Sequence, residues 1–214
     1  MKLISNELEE YISAHTENEP ELLVQLNRET HMNVMQPRML SGHFQGRVLS
    51  MISHMIKPKD ILEIGTYTGY SALCLAEGLA KGGHIVTIDK NEELEDLVNS
   101  YISKSPYEDN IKCVIGDAMD IIPGLKREFD LVFIDADKSN YINYYNMTFD
   151  KVRPGGYFIF DNVLWSGKVL EEVAEGDVDT ETLIQLNDLI HNDERVQEVL
   201  MPIRDGLMIV RKKD

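Results

Sequence analysis

The chain has 214 residues, 43% of them apolar, and 21 Lys and Arg against 37 Asp and Glu give a net charge of −16. This length and composition predict one globular domain that buries roughly 70% of the unfolded chain's surface. No compact basic cluster offsets the acid, so nucleic acid and membrane are both excluded as expected partners.

The two cysteines, Cys74 and Cys113, make neither a disulfide framework nor a metal-ligand pair, and both sit in apolar surroundings as small core residues. Acids occupy the first ten residues, where a signal peptide needs an apolar run. No stretch approaches the roughly 18 apolar residues of a membrane span. A cytoplasmic location is expected.

In chain order, residues 1–58 read as helical. Leu22, Leu23, Leu26 and Met32 give Glu21–Met35 a helical period, and Phe44, Val48, Leu49, Ile52, Met55 and Ile56 repeat it over Phe44–Ile56. Pro37 and Gly42 punctuate between the two, and Pro58 closes the segment. The period then changes. Strands are predicted at Asp60–Ile64, His84–Asp89, Ile111–Ile115, Asp130–Asp135 and Gly156–Asp161. Helices are predicted over Tyr70–Lys81, Glu92–Lys104, Tyr141–Val152 and Thr180–Asn192, with Glu171–Asp177 as an exposed loop. Val196–Pro202 and Gly206–Arg211 have hairpin spacing around Arg204-Asp205-Gly206. Strands alternating with helices predict a mostly parallel sheet covered on both faces.

Ligands of such sheets bind beyond the carboxyl ends of the strands. Those ends carry Glu63, Asp89, Asp117, Asp135 with Asp137, and Asp161 with Asn162. Asp and Asn cap helices and form turns, so one or two would carry no message. Five in succession on one edge favour a ligand site.

Glu63 opens the run Glu63-Ile64-Gly65-Thr66-Tyr67-Thr68-Gly69-Tyr70-Ser71. Its glycines are four apart, which is neither the dinucleotide nor the P-loop spacing. Asp89, ending the second strand, can accept both hydroxyls of a ribose. Asp117-Ala118 then lies near an adenine edge. Asp135, Asp137, Asp161 and Asn162 gather hard oxygen donors if their two strands are neighbours, and a divalent cation relieves the repulsion. Oxygen-only donors suit Mg²⁺, Ca²⁺ or Mn²⁺ rather than zinc. Paired caps with Lys138 in a salt bridge remain the competing reading of these residues.

Glu63–Ser71, Phe133-Ile134-Asp135-Ala136-Asp137-Lys138, and Gly155-Gly156 through Asp161-Asn162-Val163-Leu164-Trp165-Ser166-Gly167 resemble the cation-dependent class I O-methyltransferases. This is the family of the caffeoyl-CoA and catechol O-methyltransferases. The resemblance covers about Met35 to Val210. It implies a Rossmann-like class I methyltransferase fold, α/β, with a mostly parallel seven-stranded sheet and an antiparallel last strand. It implies a single domain over 1–214, in which residues 1–58 cover the donor and acceptor pocket and 59–214 form the core. S-adenosylmethionine is the implied methyl donor, with a divalent cation, Mg²⁺ first and Ca²⁺ or Mn²⁺ as alternatives. A homodimer is also implied.

Carried over by position, Asp135, Asp161 and Asn162 are the metal ligands and Lys138 is the catalytic lysine. Glu63, Gly65, Thr66, Tyr67, Ser71, Asp89, Asp117 and Ala118 fall at donor-binding positions. Met39 and Ser41 match residues flanking the sulfonium. Asp135 joins the donor set, and Asp137 and Tyr144 match positions lining the donor or acceptor pocket. Gly42-His43-Phe44-Gln45-Gly46 departs from the plant enzymes.

The expected acceptor is a small vicinal diphenol, a catechol or hydroxycinnamate. A dication on both hydroxyl oxygens stabilises the oxyanion, and Lys138, its pKa lowered by the dication, acts as base. A CoA thioester brings several negative charges and needs a basic patch, for which Arg38, Arg47, Arg204 and Lys212 are candidates. His31 and His43 read as surface or packing residues. Trp165 can wall the acceptor pocket, anchor a loop or make a dimer contact. The rival readings are a nicotinamide oxidoreductase on a related sheet and a non-catalytic S-adenosylmethionine-binding protein.

Overall fold

The computed structural model describes residues 4–214. Helices α1 (Asn6–Ala14), α2 (Glu21–Asn33) and α3 (Gly42–Ile56) come first. Then follow β1 (Asp60–Ile64), α4 (Tyr70–Ala76), β2 (His84–Asp89), α5 (Glu95–Lys104), β3 (Ile111–Ile115), α6 (Ala118–Ile121) and β4 (Phe129–Ile134). The chain ends with α7 (Tyr141–Phe149), β5 (Val152–Asp161), α8 (Val178–His191), β6 (Val196–Met201) and β7 (Leu207–Lys212). The strands form one seven-stranded sheet in the order β3-β2-β1-β4-β5-β7-β6. β1 with β4, β2 with β3 and β4 with β5 pair in parallel, and β7 is antiparallel to both β5 and β6. This is the class I methyltransferase fold.

Contacts group the chain into two compact units. In residues 60–65 and 118–214, β1, β4 and the second half of β5, from Phe158, are buried on both faces, which is why they read as continuous apolar runs. Tyr145, Phe149, Phe158 and Phe160 fill the core here, with ring centroids 5.4 to 6.3 Å apart. In residues 4–59 and 66–117, α3 packs on α4 and α2 on α4 and α5. Leu26, Leu49, Cys74 and Leu75 are fully buried there. Among the described residues no helix is long and apolar enough to cross a membrane.

Several expected bounds need correction, among them the helix predicted over Tyr141–Val152, which ends at Phe149. The helix predicted over Tyr70–Lys81 stops at Ala76. A Cβ on Gly78 would lie 2.2 Å from the backbone nitrogen of His54, so the chain turns there against the end of α3. The fifth strand begins at Val152 rather than Gly156. Pro154, Gly155 and Gly156 look like a turn, but Val152 pairs with Phe129 across a register irregularity that absorbs them. The fourth strand ends at Ile134, so Asp135 stands just past it. The segment 118–124, a short α-turn followed by a 3₁₀ turn, had no expected structure.

Candidate active site

Within residues 60–65 and 118–214, β4 and β5 run side by side, with Ile134 paired to Phe160. Asp135 and Asp161 therefore leave neighbouring strands at the same level. Asp161 is 2% exposed, and its Oδ1 accepts the backbone N–H of Asn162 at 2.7 Å. Asn162 has φ +63°, the left-handed region that Asn tolerates better than most residues. The loop that follows is pinned by the β6–β7 turn. Leu164 N–H donates to the Asp205 carbonyl at 2.8 Å, Val163 N–H to that of Gly206 at 3.2 Å, and Ser166 N–H to the Asp205 carboxylate. Gly65 ends β1 against Asp135, and a Cβ there would lie 1.9 Å from the Asp135 carbonyl oxygen. Its lack of a side chain is required by strand packing, whatever ligand it meets.

Lys138 is buried, and its Nζ donates to Asp135 Oδ1 at 3.0 Å and to the Tyr141 hydroxyl at 2.6 Å. Nζ also lies 5.9 Å from the Trp165 ring centroid. Tyr141 is fully buried, and its hydroxyl is 3.1 Å from the Asp161 carbonyl oxygen and 3.3 Å from that of Ile134. Burial first, then the charges of Asp135 and Asp161, raise the Tyr141 pKa well above the ordinary tyrosine value. Asp137 accepts from the Tyr144 hydroxyl at 2.6 Å and from Asn140 Nδ2 at 2.5 Å. Tyr141 has no place among the residues predicted from sequence, because an aromatic opening a helix reads as core.

The structure brings Asp135, Lys138 and the Asp161-Asn162 pair into one corner, as the strand-end pattern predicts. Among the described residues no three His, Cys, Asp or Glu side chains form a metal cage. The candidate set has instead two carboxylates and one amide, all oxygen donors on adjoining strand ends. That chemistry fits a hard divalent cation that keeps further positions for water or substrate. Glu63 is fully buried within β1 and Ala118 is buried at the start of α6.

Within residues 4–59 and 66–117, the loop after β1 folds onto β2. Tyr67, at φ +48°, donates its N–H to Asp89 Oδ2 at 2.7 Å. Asp89 Oδ1 accepts from Asn91 N–H at 2.9 Å. Each carboxylate oxygen keeps a second lone pair, so a ribose can still be accepted. Thr66 and Thr87 share a hydrogen bond of 2.5 Å. The Tyr67 hydroxyl lies 3.2 and 3.3 Å from the carbonyl oxygens of Met35 and Gln36, tying the loop to the segment that leads to Met39 and Ser41. Ser41 and Ser71 are buried, whereas Met39 and Asp117 are exposed. His31 and His43 hydrogen-bond the carbonyls of Asn27 and Glu17, which agrees with packing roles.

A second polar cluster takes Arg47, a candidate for a basic patch, into an ion pair that the sequence does not predict. Arg47 makes a two-pronged bond to Glu77, 2.8 Å on each arm, and the Ser50 hydroxyl donates to the same carboxylate at 2.5 Å. Arg47 lies in α3 and Glu77 just past the end of α4, so their spacing along the chain carries no signal.

A family model for O-methyltransferases matches residues 11–213. This chain belongs to the O-methyltransferase family. As a member it is an S-adenosylmethionine-dependent O-methyltransferase. The nicotinamide oxidoreductase reading is thereby set aside. A caffeoyl-CoA O-methyltransferase of Stellaria longipes is 31% identical to this O-methyltransferase over 222 residues, covering 98% of this chain and 92% of the plant protein. An O-methyltransferase of Bacillus cereus, solved in complex with SAH, is 27% identical, has a TM-score of 0.87 and covers 97% of each chain. A methyltransferase of Podospora anserina, solved bound to SAH, is 26% identical with a TM-score of 0.89, covering 100% of this O-methyltransferase and 99% of that chain.

Proposed function

We propose that this O-methyltransferase, acting as a single domain, moves a methyl group from S-adenosylmethionine to one hydroxyl of a small vicinal diphenol, a catechol or hydroxycinnamate-like acid, and that the reaction needs a divalent cation. The observation that carries the reading is the buried Lys138 Nζ, 3.0 Å from Asp135 in the corner where β4 and β5 end together. Asp135, Asp161 and Asn162 would hold the cation. Mg²⁺ is the first candidate, and Ca²⁺ and Mn²⁺ share its taste for oxygen. When bound, the cation supplies Lewis acidity that stabilises the acceptor's oxyanion.

The protein's own groups do the rest. A free phenol has a pKa of about 10, so a base is needed near neutrality. Lys138 Nζ takes the phenolic proton. The oxygen attacks the methyl carbon, the O–CH₃ bond forms, and the bond to the sulfonium breaks with its electron pair left on sulfur. S-adenosylhomocysteine and a protonated lysine remain. Holding the two reactants in line lowers the barrier without further chemistry. On the donor side Asp89 takes the ribose hydroxyls, Asp117 faces the adenine, and Thr66, Tyr67 and Ser71 line the loop. Met39 and Ser41 flank the sulfonium end.

Arg47 and Lys212, both candidates for the basic patch a CoA thioester needs, are engaged within the protein. Arg47 is locked on Glu77, and Lys212 Nζ donates to the carbonyls of Phe149 and Val152. This supports a small uncharged or singly charged acceptor. The name of the Stellaria relative supports the second reading, a caffeoyl-CoA-type thioester. Cys74 and Cys113, neither in a disulfide, support a cytoplasmic setting. A homodimer follows from the family resemblance, and sedimentation velocity tests it.

The deciding assay is transfer of labelled methyl to catechol, caffeate and caffeoyl-CoA, before and after chelation and with Mg²⁺ restored. Transfer to the free diphenols, lost on chelation and lost in Lys138→Ala, is expected. Full turnover in Lys138→Ala, or after complete chelation, overturns the reading.

A further inference from the structure

Tyr141 sits where three polar groups meet. Its oxygen is 2.6 Å from Lys138 Nζ, 3.1 Å from the Asp161 carbonyl oxygen and 3.3 Å from that of Ile134. A phenolic hydroxyl has one proton to give, and a carbonyl can only accept. The proton therefore goes to a backbone oxygen, and the hydroxyl oxygen is left to accept from Lys138. Ile134 is the last residue of β4 and Asp161 the last of β5. The hydroxyl thus fastens the lysine to the main chain where the two strands end together, with the Asp161 carbonyl the nearer acceptor.

We propose that Tyr141 is a positioning residue for methyl transfer, fixing the direction in which Lys138 Nζ presents its open position. The proposal rests on Lys138 acting as the base. Nζ is tetrahedral, with three positions beyond its bond to Cε. Asp135 Oδ1 takes one and Tyr141 takes the second. The third is left for the acceptor hydroxyl. A lysine stem is flexible, and Asp135 alone would hold it at a single point. With the tyrosine hydroxyl gone, Nζ samples directions that do not meet the acceptor, and small misplacements of a reacting group cost rate steeply.

Tyr141→Phe is the informative variant. It deletes the hydroxyl but keeps the ring, whose centroid is 4.7 Å from Nζ and 6.1 Å from the Phe160 ring centroid. Tyr141 itself touches neither donor nor acceptor in this scheme, so the loss falls on kcat and leaves KM alone.

The test is a double-mutant cycle of Tyr141→Phe and Lys138→Ala with saturating Mg²⁺, S-adenosylmethionine and catechol. Turnover is normalised to donor-binding sites counted by calorimetry, so partial unfolding is not read as lost catalysis. Tyr141→Phe is expected to lower kcat by about ten- to a hundredfold, with KM for both substrates and donor affinity within about twofold. In the Lys138→Ala background the same change is expected to have no further effect. A crystal structure of Tyr141→Phe gives a readout independent of turnover, in which Nζ leaves its contact with Asp135 or occupies several positions. Unchanged kcat in Tyr141→Phe, an equal loss in both backgrounds, or an unmoved Nζ overturns the proposal while leaving the lysine base intact. Full turnover in Lys138→Ala alone removes the base, and the tyrosine's role falls with it.

Discussion

The α-carbon of Gly65 faces the carbonyl of Asp135 so closely that an added Cβ would lie 1.9 Å from that oxygen. The backbone there also has φ +101°, which only glycine adopts at ease. Gly65→Ala should therefore be destabilised by at least about 3 kcal/mol, as overpacking and backbone strain add. Urea unfolding of the purified variant checks this. An unchanged midpoint would mean that β1 and the Asp135 turn can part without penalty.

Asp161→Ala removes a candidate ligand oxygen from a strand end. Loss of outer partners alone weakens metal binding by about 10- to 100-fold, so loss of a direct ligand should cost at least about a hundredfold. Calorimetric titration with Mn²⁺ reads this directly, and S-adenosylmethionine titration of the same variant should show donor affinity retained. Wild-type Mn²⁺ affinity would remove Asp161 from the ligand set.

Arg47→Met is the corresponding probe of the α3–α4 contact. Its guanidinium is buried against Glu77, and removing one partner leaves the other charge uncompensated. A loss of about 3 kcal/mol is expected, much of it restored by adding Glu77→Met. Urea melts of the two single variants and the double variant measure it. Additive losses would show that the pair is not coupled.

Burial raises Tyr70, Tyr145 and Cys74 above their ordinary values, and burial with the Glu29 hydrogen bond pushes Tyr101 up to about 12. The unfolded chain releases its thiol proton near 9 and its tyrosine protons near 10, before the native state does. Above those values the native state binds more protons, so stability falls as pH rises. The melting temperature should hold below pH 9 and decline between about pH 9 and 11. Cys113 is only partly buried, not the core residue its apolar surroundings predict, so at pH 8 a thiol reagent should modify it but not the buried Cys74. Rapid modification of both in the native state would contradict this.

Strand ends were the most legible part of the sequence. β2 and β3 match their predicted bounds, because each is an apolar run closed by a turn residue. The Asp135 and Asp161-Asn162 corner was legible for the same reason: strand endings are local, and strand adjacency follows from the fold class. Helix ends were less so. Nothing local to Gly78 announces that the backbone of His54 lies against it. Tyr141 was illegible because its meaning lies in two carbonyls, Ile134 and Asp161, that sit 7 and 20 residues away along the chain. Arg47 read as a free cation for the same reason, since Glu77 is 30 residues distant.

β7 lies between β5 and β6 and pairs Leu207 with Asp161. β7 is thus the strand that flanks the Asp135 and Asp161 corner on the β5 side. The main chain at Asp161 has its antiparallel partner only once Leu207, far along the chain, is in place. Disrupting β7 at Leu207 should therefore harm chemistry as well as folding, because that residue is the neighbour of the Asp161 backbone.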